Sequence, residues 1–94
     1  MMQVKKSNYG EYSTGNYGAH TMRIDLGRLV IWFSYDTVIA FRYGILFRIS
    51  INEWGTTTGK HLNYIDSDKS IRIPHDDMMT ELEKVLNEMQ VSIR

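Results

Sequence analysis

Two polar stretches hold the side chains best suited to chemistry: Asn16-Tyr17-Gly18-Ala19-His20 and Thr56-Thr57-Thr58-Gly59-Lys60-His61-Leu62-Asn63. Each carries a histidine, an asparagine and a glycine, and the second adds a lysine. Two imidazoles near an ammonium could work on a phosphoester, one ring taking a proton and the other giving it. No spacing rule brings His20 and His61 together, however, and no carboxylate is fixed beside either. Imidazoles that hydrogen-bond their own loops are the favoured reading, and no catalytic residue is assigned. His20, His61 and His75 also lack the short paired spacings of metal sites, so no metal is expected. The absence of cysteine excludes thiolate ligands, disulfides and a cysteine nucleophile.

Thr58-Gly59-Lys60-His61 superficially resembles a phosphate loop. The first glycine of that motif is missing and His61 stands where Ser or Thr is needed, so it is not one. Backbone N–H groups near a helix start could still hold an anion. Lys60, His61 and Asn63, with Arg42 or Arg23, are therefore candidates for contacting a nucleotide or nucleic acid. The competing reading is an N-cap and turn. No cofactor is implied.

The elements that must position these residues begin with a hairpin. In His20–Tyr35 the pair Gly27-Arg28 reads as a two-residue turn, with glycine first as a type II′ turn prefers. The register sets Ile24 opposite Ile31, Met22 opposite Phe33 and Arg23 opposite Trp32, the last a cation–π pair. Turns at Asp36-Thr37 and Tyr43-Gly44 extend the meander. Val38, Ala40, Phe47, Ile49 and Ile51 then join the Ile24/Ile31 face, and Ile39, Phe41, Leu46 and Arg48 join Trp32. Arg23, Trp32, Phe41 and Arg48 on one sheet face could stack bases or anchor a protein partner. Cover by the Tyr-rich 8–19 loop or by a second subunit is the alternative.

Residues 2–7 read as an edge strand. Residues 55–63 read as a loop or a short helix opening at Thr57 or Thr58, and Lys69–Pro74 as a brief strand. After Pro74 the anionic start His75-Asp76-Asp77 suits a helix N-terminus. Met79, Leu82, Leu86, Met89 and Ile93 recur at helical steps, with Val85 alongside, and predict an amphipathic helix over 76–90. The expected fold is a single α+β domain spanning 1–94. Its antiparallel meander of four or five strands is packed on the Ile24/Ile31/Phe47 face by the C-terminal helix. The fourth strand returns to the end bearing His20 and Tyr35. There Asn16, His20 and Tyr35 should meet Lys60, His61 and Asn63 in a polar cluster that is chiefly structural.

With 43% hydrophobic and 23% charged residues the chain has a globular composition. Its zero formal net charge argues against a protein built mainly to neutralise phosphates. No apolar run approaches the ~18 residues of a membrane span, and the start has no apolar signal core. A cytoplasmic protein without a membrane partner is expected.

The stretches Asn16-Tyr17-Gly18-Ala19-His20, Phe33-Ser34-Tyr35, Ala40-Phe41-Arg42 and Thr57-Thr58-Gly59-Lys60-His61-Leu62-Asn63 carry a resemblance. Over roughly residues 12–75 the chain resembles a family of small, functionally uncharacterised proteins of phages, plasmids and other mobile elements. The resemblance brings no catalytic residue. It implies an accessory protein acting in a bacterial cell, where such proteins often inhibit host processes, defence systems among them. A non-enzymatic protein that binds a host or phage macromolecule is the leading expectation. Nucleotide or nucleic-acid binding and a His-based phosphoesterase are the rivals, and a homodimer is compatible with each.

Overall fold

The computed structural model describes residues 5–7 and 21–89. Six strands lie side by side in sequence order: β1 (Lys5–Ser7), β2 (Thr21–Asp25), β3 (Leu29–Ser34), β4 (Thr37–Tyr43), β5 (Leu46–Ser50) and β6 (Arg72–Ile73). Helix α1 (Thr56–Ile65) lies between β5 and β6, and α2 (His75–Glu88) follows β6. The domain is α+β, as expected, and its first five strands form the antiparallel meander. The sixth strand runs parallel to the fifth, pairing Ile49 with Arg72 and Ser50 with Ile73. Parallel neighbours cannot be joined by a tight turn, and α1 supplies the crossover. At the opposite edge, β1 presents exposed Lys5 and Lys6, charges that discourage another strand from adding there.

The β2–β3 hairpin has the register read from the sequence. Gly27 takes φ +89°, Leu26 N–H donates to Leu29 O at 2.8 Å, and Asp25 Oδ1 accepts from Gly27 N–H at 2.8 Å. The next two turns each sit one residue from their expected place, at Tyr35-Asp36 and Gly44-Ile45. Gly44 supplies φ +61° without strain, whereas Tyr35 at φ +55° carries a left-handed cost of roughly 1–2 kcal/mol.

Those shifts move the pairing by two residues and would leave the faces unchanged. A β-bulge changes them. Phe33 pairs with Val38 but Trp32 pairs with Ala40, so Ile39 is an extra residue in β4. One inserted residue sends every later side chain to the other face. Phe41 therefore joins Leu29 and Ile31, while Ala40, Phe47 and Ile49 join Trp32. The expectation that α2 covers Phe47 fails for this reason. Helix α2 covers Ile31, as expected, together with Leu29 and Phe41.

Helix α2 buries Met78, Leu82 and Val85, flanked by Met79, Leu86 and Met89. The apolar stripe is thus centred one residue from the expected Met79/Leu86 line, and Ile93 lies outside the described residues. Asp76 and Asp77 occupy the first turn. Glu53 Oε2 accepts from His75 N–H at 2.9 Å, placing a further anion at the positive helix end. His75 Nε2 donates to Val38 O at 2.9 Å, since a carbonyl can only accept, and so ties α2 to the bulge.

Helix α1 covers part of the other sheet face, where a single-helix, two-layer arrangement would leave it bare. Thr58, His61, Leu62 and Ile65 recur at helical spacing, with Leu62 packed against Ile39, Ala40 and Ile49. The short helix opens at Thr56, and Gly59 sits inside it because a Cβ there would lie 2.9 Å from Asn52 Nδ2. That amide is held in place: Asn52 Nδ2 donates to Gly55 O and Asn52 Oδ1 accepts from Trp54 N–H. After α1, Asp68 caps a 3-10 turn over Lys69–Ile71. Its hydrogen bonds from the Ser70 hydroxyl and N–H hold its carboxyl below the ordinary carboxylate range.

Candidate partner-binding face

Among the described residues α1 covers one sheet face only in part, and that face carries four side chains in register; the 8–19 loop, the alternative cover, lies outside the described residues. Arg23 pairs across from Trp32, Trp32 from Ala40, and Arg42 from Phe47. The Arg23 and Arg42 guanidinium carbons lie 5.7 and 5.9 Å from the Trp32 ring centroid. Arg42 also lies 5.4 Å from the Phe47 ring, which meets Trp32 edge-on at 5.9 Å and 88°. Trp32 is therefore held between two cations, each at cation–π distance. Arg23, Trp32 and Phe47 are half-buried and Arg42 is exposed. Arg23 reaches Asp25 at 3.5 Å, while Arg42 makes no ion pair among the described residues. On the neighbouring strand Lys5 lies opposite Asp25.

Two of the four residues expected on this face belong elsewhere. Phe41 is fully buried beneath α2. Arg48 Nε donates to both carboxylate oxygens of Glu81 on α2, at 3.0 and 3.1 Å, and its Nη1 donates to Phe47 O. The bulge puts both on the core side. Arg42 and Phe47 take their places. That they share a face was legible, because the expected turn at Tyr43-Gly44 already sets Arg42 and Phe47 on one side. Their meeting with Trp32 was not, since it depends on the bulge.

The second stretch does not converge into a ligand site. His61 points inward, with its Nδ1 2.7 Å from Ser34 Oγ, and Ser34 Oγ is also 2.9 Å from Thr58 Oγ1. All three are buried, and the Tyr35 ring lies 6.2 Å from the His61 ring. Lys60 and Asn63 are exposed, and Asn63 Oδ1 accepts from Arg72 Nη2 at 2.8 Å. Asn16 and His20 lie outside the described residues, so the expected meeting of the two polar stretches does too. Thr21, which follows His20, is buried opposite Ser34.

The Ser34–His61 distance is that of a nucleophile and its base. With exposures of 1% and 0%, however, the pair is closed to substrate and instead fastens α1 to the end of β3. Ser34→Ala strands the Thr58 hydroxyl and His61 Nδ1 away from their shared partner. It should lower the free energy of unfolding, read by urea titration, by about 1–3 kcal/mol. The sequence is compatible with either a loop or a short helix over 55–63, and only the helix brings Thr58, His61, Leu62 and Ile65 to one side.

Among the described residues no cluster of His, Asp and Glu could hold a metal ion, and no helix is long and apolar enough to cross a membrane. No curated protein and no solved structure matches the chain. The model of a family of unknown function, DUF8033, matches residues 1–80, and the chain belongs to that family.

Proposed function

We propose that this protein is a non-enzymatic binding protein that engages a partner protein through the Arg23/Trp32/Arg42/Phe47 face. The observation that carries this reading is Trp32 held between Arg23 and Arg42 on the half of the sheet face beside α1. Tryptophan and arginine are the residues on which interface energy most often concentrates. A preformed aromatic and guanidinium group also loses little side-chain freedom on binding. The surplus of positive charge around Trp32 favours a partner surface bearing carboxylates. The resemblance to proteins of phages and mobile elements supports a setting inside a bacterial cell. There the partner is a host or phage protein, and its inhibition, as of a defence system, is the proposed outcome.

A second reading, binding of single-stranded nucleic acid, draws on the same guanidinium and indole planes, which can stack bases. Affinity capture from the native cell, with the bound species identified by mass spectrometry, separates the two. For a protein partner, Trp32→Ala should weaken binding by about 2 kcal/mol or more. Salt should have only a modest effect. For nucleic acid, affinity should fall steeply with salt. Capture that survives both Trp32→Ala and Arg42→Ala unchanged would remove the face from the account.

A further inference from the structure

Resting on the partner-protein reading above, we infer that Arg42 selects the partner. Its guanidinium edge receives one carboxylate from a segment that lays an apolar side chain on Trp32 and Phe47.

The strand pairing sets the face out in rows. Arg23 and Trp32 stand in one row, and Asp25, Val30, Arg42 and Phe47 in the next. The two arginines therefore reach Trp32 from different strands and end in unlike surroundings. Both guanidinium carbons lie over the indole ring, at 5.7 and 5.9 Å. A guanidinium that turns its face to an aromatic ring keeps its N–H groups at the edge, where a carboxylate can take two of them.

At Arg23 that edge is taken. Asp25 Oδ2 lies 3.5 Å from Arg23 Nη2, and Asp25 is itself held, because its Oδ1 accepts from Gly27 N–H at 2.8 Å. Arg42 differs. It is exposed, lies 5.4 Å from the Phe47 ring as well, and forms no ion pair among the described residues. The Arg23–Asp25 pair thus shows within the chain the arrangement that a partner's carboxylate completes at Arg42. Val30, between Asp25 and Arg42 in its row, is 7% exposed, so these charges stand above an apolar floor and are screened less than in open water.

Two aromatic contacts fix Arg42 before a partner arrives, which limits the side-chain freedom lost on docking. Asp25 acts against the wrong partner. It neutralises Arg23 and repels a second carboxylate, so a single acidic residue beside an apolar one is favoured over a uniformly acidic surface.

The probe is the protein captured in the cell by a photoreactive amino acid at position 7, across from Arg23, then purified and titrated with the full chain. Arg42→Gln should weaken binding by about tenfold or more. Arg42→Lys should recover only part of that loss, because an ammonium lacks the two-pronged fit. Arg23→Gln should weaken binding by about threefold or less, since Asp25 already neutralises that cation. Asp25→Asn keeps an acceptor for Gly27 N–H, removes the repulsion and should strengthen binding. Because Arg42 is exposed, its variants should melt with wild type. Equal losses from Arg42→Gln and Arg23→Gln, full recovery by Arg42→Lys, or weaker binding by Asp25→Asn would each overturn the inference, even where Trp32→Ala upholds the face. Binding unchanged by Trp32→Ala, or no protein captured from position 7, would remove the face and the role of Arg42 together.

Discussion

Leu82→Asp should destabilise the domain by about 4 kcal/mol or more, enough to leave a protein of this size largely unfolded. Leu82 is 3% exposed and lies among Met78, Val85, Leu29, Ile31 and Phe41. A carboxylate there has no cation or donor within the cluster, so it must either stay charged in an apolar site or fold only when protonated. Circular dichroism during a thermal melt reads the outcome. A variant melting within a degree or two of wild type would mean that α2 does not pack as described.

Phe41→Ala should come next, with a loss of about 3–5 kcal/mol from the cavity left beneath α2. Trp32→Ala, one face away, should cost less, roughly 1–2 kcal/mol, because Trp32 is only half-buried. The contrast is the useful result. On a sheet without the bulge the two aromatics would share a face and Phe41 would be available to a partner. With Ile39 inserted, Phe41 is core and only Trp32 can meet a partner. Equal losses of stability from the two truncations would place both rings on one face.

The difference between reading and structure comes down to phase. Gly27-Arg28 announces its hairpin because glycine is needed where φ is positive, and the alternating residues on either side then fix every pair. Val38-Ile39-Ala40-Phe41 gives no such guidance. Four successive apolar residues fit either phase of a strand covered on both faces, so nothing in them marks the bulge. Tyr35 hid its turn in the same way, since a tyrosine at φ +55° is not what turn chemistry leads one to expect. Helix α2 was legible from Pro74, Asp76, Asp77 and the apolar recurrence after them. Half the candidate site, Arg23 with Trp32, was legible because it lies before the bulge. Arg42 and Phe47 reach Trp32 only across it, and Phe41 and Arg48 leave for the same reason.

The claim that a partner docks on Trp32 and its flanking arginines is tested most directly by site-specific photo-crosslinking in the cell that makes the protein. A photoreactive amino acid is placed at position 7, exposed and paired across from Arg23, in one variant, and at position 83, exposed on α2, in another. Crosslinks to a discrete protein from position 7, absent from position 83 and lost when Trp32→Ala is added, are the predicted result. Crosslinks to the same protein from position 83 but none from position 7 would contradict it.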